Sequence, residues 1–102
     1  MFRVVEKFTF AVPVEVVLPD GEKQPFEARF SVGSEDLEEL QNPAAIDAAL
    51  ARVWTGWSGV VDENGEEVPF DEATRDRLLR FPFVRVAIIR ALAGALGGSR
   101  GN

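Results

Sequence analysis

The chain has 102 residues, of which 46% are apolar and 27% are charged, so it is long enough for one globular domain with one core. It contains no cysteine and no histidine, which excludes disulfides, thiolate metal sites and the commonest general base of enzymes. Residues 1–74 hold 5 basic and 16 acidic side chains, whereas residues 75–102 hold 6 arginines and one acid. This separation favours a homo-oligomer or a charged protein partner, and the alternative is a chance distribution of the charges that helix surfaces need. The acidic body disfavours nucleic acid.

A membrane location is not predicted. No long apolar run follows Arg3, so the start of the chain is not typical of a signal peptide. The most apolar segment, Phe83–Leu96, is too short to span a bilayer and contains Arg85 and Arg90.

The first third of the chain has the alternating pattern of a β-hairpin. One face of the first strand would carry Phe8, Phe10, Val12, Val14, Val16 and Leu18, and one face of the second would carry Phe26, Ala28, Phe30 and Val32. Pro13 lacks a donor N–H, which favours an edge strand or a bulge. Residues 2–5 are a candidate extension of the first strand. Because two strands with so apolar a face are unstable alone, helices or another subunit should cover that face.

From Ser34 onward the pattern becomes helical. Ser34 is predicted to cap a short acidic helix, and Asn42 to cap a second helix that begins at Pro43. This second helix is expected to include Trp54 and Trp57, because both continue its apolar stripe.

Two further helices complete the predicted fold. Asp71 should cap the third helix, and the fourth should run from Pro82 to Leu96. The sequence thus predicts an α+β fold, in which an N-terminal amphipathic hairpin, open to extension by further strands, packs on three to four C-terminal helices. Residues 1–96 are expected to form one domain, and residues 97–102 a flexible Gly-rich tail.

The acidic segment Asp62–Glu67 has two interpretations. A calcium loop needs oxygen ligands at fixed spacings and a distal carboxylate, and Gly65 comes two residues too early for that pattern. The alternative is a tight hairpin turn at Asn64-Gly65, with Val61 opposite Val68 and the carboxylates in solvent. We favour the turn and expect no metal and no cofactor.

Catalytic signatures are missing from the sequence. Carboxylates are numerous, but none is coupled by the pattern to a nucleophile, a Gly-rich phosphate loop or a nucleophile elbow. We therefore predict no catalytic residue and no enzyme activity.

The predicted last helix is apolar on two nearly opposite faces. The first face carries Val84, Ala87, Ile88, Ala91 and Ala95, and the second carries Val86, Ile89, Ala93 and Leu96. Such a helix is either fully buried or in contact with a partner. The second face, alone or together with part of the Phe-rich face of the hairpin, is the candidate partner-binding surface, and the flanking Arg85 and Arg90 are expected to meet acids on the partner. A helix buried at the centre of the core is the alternative.

One ordered set of residues resembles a known protein family. The set is Trp57, Gly59, Val60, Asp62, Glu63, Gly65, Pro69 and Phe70, followed by the segment LLRFPFVRVAIIRALAGAL. This order resembles tail assembly chaperones of long-tailed, siphovirus-type bacteriophages, and FEARF at Phe26–Phe30 is similar to the F-x-A-x-F strand of that family. The resemblance covers about residues 26–96.

The resemblance implies a non-enzymatic assembly factor. Such chaperones bind the tape measure protein, keep it soluble and help the tail tube protein to polymerise around it. They act in the cytoplasm of the infected bacterial host and are absent from the mature virion, and many also occur as a longer, frameshifted form. Two alternatives are a structural tail or connector subunit that uses the hairpin between subunits, and a small calcium- or ligand-binding module.

Overall fold

The computed structural model describes residues 1–97 and has the α+β fold that the sequence predicts. Its elements are β1 (Lys7–Val17), β2 (Lys23–Gly33), α1 (Ser34–Leu40), α2 (Ile46–Val53), β3 (Trp54–Ser58), α3 (Glu72–Leu79) and α4 (Pro82–Ala95). The N-terminal hairpin and the mostly C-terminal helices are confirmed. The tail predicted for residues 97–102 lies, apart from Gly97, outside the described residues.

The hairpin of β1 and β2 has the predicted alternation of side chains between two faces. The two strands pair antiparallel without a shift, from Lys7 opposite Gly33 to Val17 opposite Lys23. The face toward the helices buries Val14, Val16, Ala28, Phe30 and Val32. The opposite face, with residues such as Ala11 on it, is exposed. The sheet is therefore covered on one side only by the described part of the chain.

The position of Pro13 explains why a proline is tolerated in this strand. The strand order is β1-β2-β3, so β1 is an edge strand, as predicted. The N–H of Leu18 donates to Glu22 at 2.8 Å, and ladder hydrogen bonds alternate along an unshifted antiparallel pair. Pro13 has the opposite parity, so its nitrogen faces the outer edge and the hairpin loses no hydrogen bond. The predicted extension by residues 2–5 is absent, since β1 begins at Lys7.

The tryptophan segment is a strand, so the prediction of a helix through Trp57 is wrong. α2 ends at Val53, and β3 pairs antiparallel with β2, placing Trp57 opposite Ala28 and Trp54 opposite Phe30. Aromatic residues suit a strand, and Gly56 weakens a helix. The free edge of β2 also offers hydrogen bonds that a longer helix would leave unmade.

The starts of α1 and α2 differ slightly from prediction. Gly33, rather than Ser34, occupies the N-cap of α1. Asn42 does cap a turn, since its Oδ1 accepts the Ala44 N–H at 2.9 Å. α2 nevertheless begins only at Ile46, because residues 43–45 form a turn first.

The starts of α3 and α4 agree with prediction. Asp71 caps α3 by accepting the Thr74 N–H at 2.7 Å, and this hydrogen bond lowers the pKa of Asp71. α4 has Pro82 in its first turn, where a missing N–H costs no helical hydrogen bond.

The core fills the space between the sheet and the helices. α4 lies against β1, whereas α2 contacts β2, β3, α1 and α3. The largest fully buried apolar side chains come from both layers and are Trp54, Phe30, Leu50, Ile88, Val14 and Val53. Residues of α1, α2 and α4 together line a groove, where the candidate site lies.

Candidate functional site

An apolar groove runs between α1, α2 and α4, and we call it the helix groove. Its volume is about 370 Å³. It is lined by Leu37, Leu40, Gln41, Ile46, Leu50, Ile89, Leu92, Ala93 and Leu96. Gln41 is the only polar residue in this set, so the groove suits an apolar ligand surface.

A second groove, the strand groove, continues the first around the end of α4. Its volume is about 620 Å³, and it lies between the residues that precede β1, the start of α1 and the last turn of α4. Leu37 and Leu96 line both grooves. Their side chains are 38% and 42% exposed, and Phe8 in the strand groove is 45% exposed. The two grooves are therefore contiguous, and most of the residues that line them are apolar; the polar residues of the strand groove are Glu6, Lys7, Ser34 and Glu35.

Three of the six predicted partner-binding residues line the helix groove. These are Ile89, Ala93 and Leu96. Ile89 is half-buried against the core, whereas Ala93 and Leu96 are exposed. α4 buries most of its first apolar face, with Ala91 half-buried and Ala95 exposed, and it exposes much of its second face. The helix is therefore not buried at the centre of the core, which was the alternative arrangement considered from the sequence.

The other three predicted residues, Arg85, Val86 and Arg90, line neither of these two grooves. Arg85 donates from Nε to Oδ1 of Asp47 at 2.7 Å, so its charge already has a partner within the chain. Val86 and Arg90 are exposed on α4. Their role in partner binding stays a prediction, separate from the groove.

Sequence reasoning missed the residues that α1 and α2 contribute to the site, whereas Phe8 belongs to the Phe-rich sheet face that was already a candidate. Leu37, Leu40 and Ile46 belong to elements that are far from α4 in sequence. One signal was present in the sequence, because Leu37 and Leu40 are the only large apolar residues in the acidic segment SEDLEEL. Two leucines three residues apart lie on one side of a helix and need a covering surface.

The carboxylate of Asp36 holds together α1 and α2, two walls of the helix groove. It is 1% exposed and accepts hydrogen bonds from Gly33 N–H at 2.8 Å and from Arg52 Nη2 at 2.6 Å. Arg52 also contacts Glu39. Burial raises the pKa of Asp36, but the hydrogen bond from Gly33 and the charge of Arg52 outweigh it, so the pKa lies below its usual value. Asp36 is thus ionised in the folded protein at neutral pH.

We expect Asp36→Asn to lower the free energy of unfolding by about 1–3 kcal/mol at pH 7, because charge-assisted hydrogen bonds are replaced by weaker ones. The pKa of Asp36 is lowered on folding, so its contribution is present above the unfolded-state pKa of about 3.9 and is lost as the pH falls through the folded-state pKa. In urea denaturation the difference between wild type and variant should shrink below about pH 4. A difference that stays constant down to about pH 2 would contradict this role of the charge.

The acidic segment is a hairpin turn, although its register differs from the prediction. Val61 pairs with Glu67 rather than with Val68, and Gly65 has φ of 79°. The N–H of Asp62 donates to Glu66 at 2.8 Å, which leaves a three-residue loop at Glu63–Gly65. Asp62 Oδ1 accepts the backbone N–H groups of Asn64 and Glu66, both at 2.9 Å. The Asp62 carboxylate therefore shapes the loop.

The segment after the acidic turn supports Trp57. The indole N–H of Trp57 donates to the Val68 carbonyl at 2.8 Å, and its ring packs edge to face on Phe70, with the ring centroids 4.8 Å apart.

The acidic turn does not form a metal-binding group. Its residues Asp62 and Glu63 are exposed. Across residues 1–97, no three metal-ligating side chains come together in a group that could hold a metal ion.

A third groove of about 490 Å³ lies at the opposite ends of β1 and α4. Aromatic side chains of Phe26, Phe81 and Phe83 line it. None of the predicted partner-binding residues lines this third groove, so the groove does not form part of the candidate site.

No helix within residues 1–97 is long and apolar enough to cross a membrane. Comparisons of the chain with protein-family models, with curated proteins and with solved structures gave no match. The residues and the geometry described above are therefore the basis for inferring its function.

Proposed function

We propose that this protein is a tail assembly chaperone of a long-tailed bacteriophage, which binds a helical segment of the tape measure protein on its apolar grooves. The observation that supports the proposal is the contiguous, largely apolar surface formed by the helix groove and the strand groove. The resemblance of residues 26–96 to tail assembly chaperones suggests the identity of the client.

The exposed apolar side chains support binding to another protein. Single exposed apolar residues are common on protein surfaces, but contiguous apolar patches usually mark binding sites. Leu37 and Leu96 lie at the junction of the two grooves and are both exposed. An amphipathic helix can place side chains at i, i+3, i+4 and i+7 along such a groove.

The proposed role is non-enzymatic and precedes completion of the tail. The chaperone would act in the cytoplasm of the infected host, covering apolar segments of the tape measure protein until the tail tube protein replaces it. It would then be absent from the mature virion. Self-association is part of the proposal, because the outer edge of β1 is unpaired within the described chain and the charges are separated.

The content of purified virions tests the proposal. We expect mass spectrometry of purified particles to detect the tube and tape measure proteins but not this chain. Co-expression with this chain should move the tape measure protein from the insoluble to the soluble fraction, because its apolar segments are then covered. A stoichiometric amount of the chain in the virion would contradict the chaperone role.

The second candidate function is a structural subunit of the tail or its connector. The observation in its favour is the sheet, which has one exposed face and an unpaired edge at β1. Such an edge can pair with a strand of a neighbouring subunit. Stoichiometric presence in the virion is the result that would favour this function.

A further inference from the structure

The charges around the two grooves indicate the charge of the client. We propose that the bound segment is an amphipathic helix whose apolar face is flanked by lysines or arginines. This inference rests on the proposed function, because it requires a client in the grooves. It adds the chemical character that the client must have.

Unpaired carboxylates surround the apolar surface. Glu6 and Glu35 line the strand groove. Glu38 precedes Gln41 by three residues, so the two lie on the same side of α1, at the edge of the helix groove. None of these three carboxylates has an ion-pair partner within residues 1–97. A bound helix with cations on its flanks would supply the missing partners.

Few basic residues lie near the grooves, and two of the nearest arginines already have partners. Within residues 1–97, Lys7 is the only basic residue that lines either groove, and it makes no ion pair. Arg52 lies against Asp36 and Glu39. Arg85 is paired with Asp47. Among the described residues, the carboxylates of Glu6, Glu35 and Glu38 thus outnumber the one groove cation, Lys7.

Two helix ends add to the negative potential. α1 ends at Leu40 beside the helix groove, and α4 ends at Ala95 beside the strand groove. Neither helix has a basic residue in its last turn. The C-terminal end of a helix carries a partial negative charge of about −0.5, which attracts cations.

Two synthetic peptides test the inference directly. Both have about 20 residues, blocked ends and the same leucine and isoleucine face, and they differ only in having lysine or glutamate along the flanks. Fluorescence anisotropy of dye-labelled peptides measures their affinities for the full chain. We expect the lysine peptide to bind about tenfold more tightly at low salt, which is the effect of two or three surface ion pairs. The ratio should approach one at about 0.5 M salt, because these pairs are screened.

A set of charge-neutralising variants locates the effect. The triple variant Glu6→Gln, Glu35→Gln and Glu38→Gln should bring the two affinities within about twofold of each other, because the flanking cations lose their partners. The control is the triple variant Glu15→Gln, Glu63→Gln and Glu67→Gln, which changes the net charge equally but lies outside both grooves. The control should keep the full preference for the lysine peptide.

The outcomes separate this inference from the proposed function. Equal or tighter binding of the glutamate peptide would overturn the inference and leave the grooves as a docking site. Retention of the full preference by the groove triple variant would also overturn it. If neither peptide binds, or if glutamine at both Leu37 and Leu96 leaves lysine-peptide binding unchanged, the grooves are not the docking site and the proposed function loses its surface.

Discussion

We expect Trp54→Ala to lower the free energy of unfolding by about 3–5 kcal/mol, because it leaves a large cavity in the core. The side chain of Trp54 is 0% exposed and lies between Phe26 and Trp57, with ring centroids 6.0 and 5.4 Å away. Its indole N–H donates to the Gly56 carbonyl at 3.0 Å, so that carbonyl also loses a partner. Since small domains are stable by about 5–15 kcal/mol, much of the total would be lost.

Urea denaturation followed by circular dichroism measures this effect, and two variants serve as comparisons. Trp54→Phe keeps an aromatic ring in the core and should cost clearly less than alanine. Trp57→Ala removes a half-buried ring and should also cost less. If Trp54→Ala unfolds the chain, the phenylalanine variant still gives a measurable midpoint. A loss of less than about 1 kcal/mol for Trp54→Ala would contradict burial of this ring.

We expect the double variant Leu37→Gln and Leu96→Gln to weaken client binding by about a hundredfold, because it places two polar amides in the apolar contact. Both leucines line the helix groove and the strand groove, so a helix bound in either groove would meet them. Glutamine is a good helix former and is neutral, which keeps α1, α4 and the net charge unchanged. Binding of a tape measure segment, measured by anisotropy or by co-purification, provides the test.

The control for the groove variant is Val17→Gln. Val17 is 37% exposed, close to the 38% of Leu37, but it lies at the end of β1 outside both grooves. The control should bind the client normally. Val86→Gln adds a separate test, because Val86 is 42% exposed on α4 yet lines neither groove. Normal binding by the double variant would contradict the groove as the client surface.

The hairpin could be predicted because its signals are local. The alternation from Phe8 to Leu18 identifies one buried face, and Pro13 identifies an edge. Asp71 and Pro82 similarly mark the starts of α3 and α4, since caps act within one turn of a helix. Each of these features depends only on residues that are neighbours in the sequence.

The third strand could not be predicted in the same way. The spacing of three residues between Trp54 and Trp57 fits an apolar helix stripe, because residues three apart lie on opposite faces of a regular strand. The two rings share one face of β3 because the pairing with β2 shifts by one residue between Arg29 and Phe30. The choice is decided by β2, which offers a free edge about 25 residues earlier in the chain. The grooves have the same difficulty, because Leu37 in α1 and Leu96 at the end of α4 are far apart in the sequence.

The junction between α2 and β3 limits how the length of this chain can vary during evolution. Val53 ends the helix and Trp54 begins the strand, with no connecting residue between them. One inserted residue here would have to displace either the last turn of α2 or the pairing of β3 with β2, and a one-residue slip of that pairing would turn Trp54 to the other face of the sheet. An insertion at Glu63–Gly65 would only lengthen an exposed turn. Descendants of this sequence should therefore gain and lose residues at the acidic turn, while the spacing from Ile46 to Ser58 stays fixed.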